Sequence, residues 1–140
     1  MYRVSGAQIQ SGALPWRIDK AGRRQVLLVT SARSSRWTIP KGKVVPGMSL
    51  AENAAKEAME EAGVVGKVAS RAAGSYRAIK RVGTRRTTID VWVFLLVVRR
   101  TLDDWPEKSH RRIKWVSPAT AGRLLREPLL QRLCRELEEG

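Results

Sequence analysis

Eight consecutive apolar residues, Val91 to Val98, constrain this chain more than any other stretch of it. A strand with one solvated face alternates apolar and polar residues, whereas an unbroken run suits a central strand covered on both faces. The run is far shorter than the roughly 20 residues that cross a bilayer as a helix, so neither a transmembrane helix nor a membrane partner is expected. Strand-preferring residues extend this segment to Thr88–Val98 and recur at Val4 to Ile9, Gln25 to Thr30, Trp37 to Ile39, Val68 to Tyr76 and Ile113 to Val116, which predicts about six strands.

Covering both faces of such a strand requires helices. The first is predicted over Leu50 to Ala62: Ser49 can cap the free amides, Glu52 can reach back to complete a capping box, and Gly63 can end the helix. A second is predicted after Ser117, with Pro118 at the first helical position. A third, from Pro128 to about Glu138, sets Leu130, Leu133, Cys134 and Leu137 on one stripe. Strands with helices to either side predict an α/β sandwich. With 140 residues, no internal repeat and no linker-like stretch, the chain is expected to form one domain over residues 1–140.

The 27 Lys and Arg outnumber the 13 Asp and Glu, giving a net charge of +14. Such a field attracts phosphates, nucleic acid or anionic lipid without specifying among them, so RNA stands as a possible partner. Six basic residues and no acid lie between Arg71 and Arg86, a stretch that reads either as a landing strip for a polyanion or as a solvated loop. The N-terminal decapeptide lacks the apolar core of a secretory signal, and the single Cys134 cannot form an intrachain disulfide. A reducing, cytoplasmic setting is therefore expected.

On a helical wheel at about 100° per residue, Glu57, Glu60 and Glu61 fall within an arc of roughly 100°, opposite Ala51, Ala55, Ala58, Met59 and Ala62. Three carboxylates so close repel one another, and a divalent cation would remove that cost; hard oxygen donors suit Mg²⁺ or Mn²⁺. The same cluster could also be an ordinary solvated helix face. The loop before the helix, Pro40 to Lys43, favours the metal reading, because it places Lys41 and Lys43 around Gly42 next to the acids.

From Gly42 to Val64 the chain resembles the signature of the Nudix hydrolases, with Gly42, Glu57, Glu60, Glu61, Gly63 and Val64 at matching positions. The resemblance implies an α/β/α Nudix fold with a mixed sheet sandwiched between helices. It also implies a metal-dependent reaction in which water attacks phosphorus in a diphosphate linkage. By position, Glu57, Glu60 and Glu61 inherit the catalytic and metal-binding role, with Gly42 at the metal site. Met48 and Lys56 stand where the pattern has Glu and Arg; Lys56 is expected to pair instead with Glu52, in the acid-first i,i+4 orientation.

The runs VLLVTSARSSRWTIPKG, EEAGVVGKV, TLDDW and RRIKWVSP, spread from Val26 to Ala121, are similar to the diphosphoinositol polyphosphate phosphohydrolase branch and its bacterial relatives. That similarity implies Arg36 and Arg111 as phosphate contacts; with Lys41 and Lys43 they form the expected substrate-binding set. The substrate expected is a small phosphate-rich anion, a diphosphoinositol polyphosphate or a dinucleoside polyphosphate. RNA 5′ pyrophosphohydrolysis, or a degenerate domain that binds polyanions without turnover, are the alternatives. Trp37, Trp92, Trp105 and Trp115 read as packing residues and Tyr76 as the better base-stacking candidate. His110 and Cys134 read as structural, and Glu107 as a surface acid of its loop.

Overall fold

The computed structural model describes residues 8–140, of which Gln8–Ile18 (β1), Arg24–Thr30 (β2), Trp37–Thr38 (β3) and Lys41–Lys43 (β4) come first. Helix α1 spans Leu50–Ala62, followed by Val64–Val68 (β5), Gly74–Val82 (β6), Arg85–Thr101 (β7) and Ile113–Val116 (β8). Two helices end the chain, Pro118–Leu124 (α2) and Pro128–Glu139 (α3). The unbroken apolar run lies in β7, which is indeed central. One edge of β7 pairs in parallel with β1, from Gln8↔Ile89 to Trp16↔Val97, and the other pairs antiparallel with β6 and then β5.

Alternation along the strands sends side chains into two separate cores. Leu14, Val26, Leu28, Val91 and Val93 face α2 and α3, where Leu130, Leu133, Cys134 and Leu137 complete the packing. Ala13, Leu27, Val29, Phe94 and Leu96 face α1, where they meet Ala54, Ala58 and Ala62. The fold is thus a mixed sheet between helical layers, as the sequence implied. Each buried leucine of α3 contributes about 1.5 to 3 kcal/mol on leaving water, which is why so short a helix docks. Among the described residues no helix is long and apolar enough to cross a membrane.

Helix α1 begins and ends where the sequence places it: the reciprocal Ser49–Glu52 capping box is formed, and Gly63 closes the helix at φ 68°. The strand expectations need correction in four places. Residues 4–7 of the first expected strand lie outside the described residues, and the strand itself runs on to Ile18 through Gly12, Pro15 and Arg17, which disguise it. Gly12 is required there, since a Cβ would lie 2.9 Å from the Pro40 carbonyl oxygen. Val68 to Tyr76 is not one strand but the junction of β5 and β6, which occupy successive stretches of one edge of β7. Strand β4, Lys-Gly-Lys, has no strand-forming composition and exists because β1 offers it an edge. The Arg71–Arg86 stretch is largely a β-hairpin, β6 turning into β7 at Gly83, φ 61°.

At Val65/Gly66 the register of β5 on β7 shifts by a bulge, and a Cβ on Gly66 would fall 1.9 Å from the Val97 carbonyl oxygen. Backbone cannot yield as a side chain can. We therefore expect Gly66→Ala to destabilise the fold by about 3 kcal/mol, the upper end of the usual range. In α2, Gly122→Ala has its nearest contact at 3.7 Å and should be neutral or stabilising by up to about 1 kcal/mol. Urea denaturation of the two variants checks the contrast.

Candidate active site

Helix α1 carries a polar stripe, Asn53, Glu57 and Glu61, at successive i,i+4 positions, and all three side chains are buried together with Ala54, Ala58 and Ala62. This corrects the expectation that the acids and the alanines take opposite sides of the helix. The alanines meet the sheet, and the polar stripe runs beside them, against β4 and the loop that follows it. Asn53 holds that loop: its Nδ2 donates to Ser11 Oγ at 3.0 Å, and its Oδ1 accepts from the Val45 N–H at 3.1 Å. Sequence reasoning passed over Asn53, although a lone polar residue in phase with Glu57 and Glu61 was the available signal.

Gly42 lets β4 close onto the helix. A Cβ at that position would come within 2.5 Å of the Glu57 carboxyl carbon, so the Glu57 carboxyl occupies the space that any other residue would need. Next to it, Glu61 Oε1 accepts from the Lys41 N–H at 3.3 Å, and Glu61 Oε2 lies 3.5 Å from the Arg111 guanidinium. Burial drives the Glu61 carboxyl up to about 8; Arg111 pulls it down, while Glu57 and Glu107 push it further up. Burial likewise holds the Lys41 ammonium below its ordinary value, with Glu61 opposing that shift.

Glu60 stands apart from the other two acids. Lys56 Nζ lies 3.1 Å from Glu60 and 3.4 Å from Glu57, so the expected Lys56–Glu52 pair is replaced, Glu52 being committed to the cap of its own helix. Glu107 is more than a surface acid. Its N–H donates to the Glu60 carbonyl at 2.9 Å, and its carboxylate lies 2.7 Å from Arg111 Nε, which ties the late loop to the acidic helix. Trp105, in that loop, packs over Gly63, where a Cβ would lie 2.3 Å from its ring. Tyr76 packs against the core beneath α3 rather than standing free to stack.

An open cavity of about 570 Å³ has Glu61 as the one acid in its wall, and Arg36, Lys41 and Arg111 line it with Glu61. Lys43 is exposed and does not line it. Arg33 from the loop after β2, which the sequence did not single out, also lines it, as do Lys80 and Arg81 of β6, two of the six bases in the Arg71–Arg86 stretch. Arg36 is ion-paired with Glu127, the residue that precedes α3. Among the described residues no three acidic, histidine or cysteine side chains converge on one point, because Glu60 is turned to Lys56. In chemistry the donors suit a divalent cation: Glu57 and Glu61 are hard oxygen ligands held one helical turn apart.

The family model for the NUDIX domain matches residues 11–136. The chain belongs to the Nudix family. Nudix hydrolase 12, mitochondrial, of Arabidopsis thaliana is 28% identical over 145 residues, covering 92% of this chain and 71% of the relative. Diphosphoinositol polyphosphate phosphohydrolase 2 of Rattus norvegicus is 34% identical over 127 residues, covering 89% of this chain and 66% of the relative. The chain spans between 51% and 77% of the length of such curated relatives. Among solved structures, a C. elegans Ap4A hydrolase binary complex superimposes with a TM-score of 0.66 at 20% identity, covering 95% and 99% of the two chains. That likeness shows the Nudix fold. The chain is accordingly a Nudix hydrolase domain, of a family that acts on diphosphate bonds and generally uses divalent metal ions.

A carboxyl whose folded pKa lies near 8 against an ordinary 4.5 costs stability as it ionises. The folded state then holds the proton more tightly than the unfolded chain, so stability is lost as pH rises through that interval. In this Nudix domain freed of divalent ions, Glu61→Gln removes the ionisation. The variant's Tm should exceed that of the wild type by a margin that widens from pH 5 to pH 8. Added Mn²⁺ should narrow the gap at pH 8, and a gap independent of pH would show that Glu61 is not destabilised by its charge.

Proposed function

We propose that this chain is a metal-dependent pyrophosphohydrolase cleaving a diphosphate linkage in a small phosphate-rich substrate, of the diphosphoinositol polyphosphate or dinucleoside polyphosphate type. The observation that carries this reading is that buried Glu61, one helical turn from buried Glu57, stands in the wall of an open cavity whose other charged residues are basic. A cytoplasmic setting belongs to the proposal and rests on the free, buried Cys134.

Glu57 and Glu61 would hold the cation, joined by Glu60 once it leaves Lys56, with the Gly42 backbone forming the wall behind Glu57. A bound Mg²⁺ or Mn²⁺ supplies charge neutralisation at the phosphates and lowers the pKa of the attacking water. The remaining work falls to the protein. Arg111, bridging Glu61 and Glu107 and donating to the Thr30 carbonyl at 3.0 Å, holds the late loop and the acidic helix in fixed relation. Lys41, half-buried and without an ion pair among the described residues, presents its ammonium to the same cavity, where low dielectric strengthens its hold on a phosphate oxygen. Fixed charges of this kind favour a transition state in which negative charge spreads over phosphoryl oxygens.

One observation favours the binding-module reading: the Lys56 ammonium sits among the glutamates, where it competes with a cation. Phosphate release measured with Mn²⁺ or Mg²⁺, then with a chelator, separates the two readings. Diadenosine tetraphosphate, a diphosphoinositol polyphosphate and 5′-triphosphate RNA should be compared, the RNA arm testing the alternative that the +14 charge supports. Turnover that vanishes with the chelator supports the hydrolase. Glu61→Gln should lower kcat by about tenfold or more with folding intact; an unchanged rate would remove Glu61 from the reaction.

Met48 is 37% exposed just before the helix cap, so Met48→Glu adds a carboxylate at little cost. It should fold, remain active and draw Lys56 from Glu57 and Glu60. A lower Mn²⁺ concentration for half-maximal activity checks this; a misfolded variant would show that the Met48 side chain supports the core.

A further inference from the structure

Helix α1 covers only part of its side of the sheet. Phe94 and Leu96 of β7 pack beneath it, but Trp92, the next residue on the same face, is 37% exposed. This corrects the expectation that the Trp92 indole serves packing alone. Away from α1 the face continues through a row of Ile9, Asp90 and Arg77, then through Ile79, and ends at the opposed pair Arg81 and Arg86. Ile9 and Ile79 are 53% and 54% exposed. Asp90 is the one acid in these rows, and Arg77 Nε donates to its Oδ1 at 2.9 Å, whereas Arg81 and Arg86 have no ion pair among the described residues. The Arg81 carbonyl accepts from Arg33 Nη1 beside the cavity, but the register turns the Arg81 side chain to the opposite face, across the sheet from Ala78, Lys80 and Ile89. At roughly 3.3 Å per residue, Trp92 and Arg86 stand about 20 Å apart along one strand. Single exposed apolar side chains are ordinary, but a contiguous group of them marks a binding surface. The occupant of this one must offer flat apolar groups at one end and negative charge at the other.

We propose that this face binds single-stranded RNA, with a base stacked on Trp92 and the phosphates of neighbouring nucleotides running along β7 to Arg81 and Arg86. A single strand supplies both requirements, since every base has an apolar π-face and every nucleotide a charge, and aromatic side chains on an open sheet face are a common platform for it. A duplex keeps its bases in their own stack, out of reach of the indole. Ser75, exposed directly beside Trp92 in the register, offers a hydroxyl to a ribose 2′-OH, which DNA lacks. A second copy of the chain fits less well, because a self-complementary contact would gather the unpaired guanidiniums of both copies into one interface. An anionic bilayer would have to take the Arg77–Asp90 pair out of water. The basic stretch Arg71 to Arg86 thus serves as a landing strip for a polyanion on one face of its hairpin. The surface lies apart from the cavity and does not rest on the hydrolase reading.

Fluorescence anisotropy with a 3′-labelled, 5′-hydroxyl oligoribonucleotide of about ten nucleotides tests the proposal; without a 5′ phosphate chain this probe offers the cavity no diphosphate. The wild type should bind it. Trp92→Ala should weaken binding about tenfold or more, and Trp92→Phe, which keeps a ring to stack on, by less than about threefold. Arg81→Gln/Arg86→Gln should weaken binding and flatten the slope of log affinity against log salt by about 1.4, two phosphate contacts of a single strand. Arg99→Ala/Arg100→Ala removes the same charge from exposed positions at the far end of β7 and should change affinity by less than about twofold. Should Trp92→Ala fold poorly, the Arg81/Arg86 variant, altered only at exposed positions, carries the test. No binding by the wild type, or an equal loss in the Arg99/Arg100 control, would overturn the platform. Displacement of the probe by inorganic tripolyphosphate at constant ionic strength would place the RNA in the cavity and overturn it as well. A DNA strand or an RNA duplex bound as tightly as the probe would overturn the assignment to single-stranded RNA, and so would Trp92-dependent binding to phosphatidylserine vesicles without binding to the probe.

Discussion

Glu57 and Glu61 are buried on the helix face that also carries the packing alanines, and the surrounding structure is arranged around that burial. Taking a carboxylate out of water costs roughly several kcal/mol unless charge or hydrogen bonds compensate. Compensation comes from several directions: the Lys41 amide, the Arg111 guanidinium and the Lys56 ammonium. It remains incomplete, since the Glu61 carboxyl is held well above its ordinary value by burial. A divalent cation held by the two carboxylates would supply the compensation that these partners leave incomplete.

Backbone close approaches make the arrangement possible. Gly42 brings β4 against the Glu57 carboxyl, Gly12 brings β1 against Pro40, and Gly63 admits the Trp105 ring over the end of α1. Gly42 and Gly63 thereby draw β4 and the late loop onto the acidic helix, while Gly12 seats β4 on β1. Asn53 and Glu107 then tie the entry loop and the late loop to the same helix through hydrogen bonds to backbone groups. The carboxylates thus sit on a helix fixed at both ends, with the Gly42 backbone setting the room around Glu57.

Charge is divided between two roles that the net value of +14 conceals. Arg36, Arg77 and Arg111 are paired with acids and serve the architecture. Lys41, Lys80, Arg81 and Arg33 border the cavity without an acid partner among the described residues. An ion-paired guanidinium has already exchanged hydration for a carboxylate, so a phosphate must compete for it, whereas an unpaired one offers its full field.

Local chemistry determined much of this protein by itself. The capping box of Ser49 and Glu52, the stop at Gly63, Pro118 and Pro128 at helix starts, and the apolar run in β7 act through near neighbours, so their outcome is written in adjacent residues. The family pattern from Gly42 to Val64 was legible for the same reason, being confined to one loop and one helix. The tertiary structure alone decided which face Glu57 and Glu61 occupy, that Lys-Gly-Lys becomes a strand, and that Lys56 turns to Glu60. It also decided which partners the arginines meet: Arg36 finds Glu127 across 91 positions of sequence, and Arg111 finds the Thr30 carbonyl across 81. Such partners are set by how the sheet brings distant segments together, and no local pattern of residues encodes that distance.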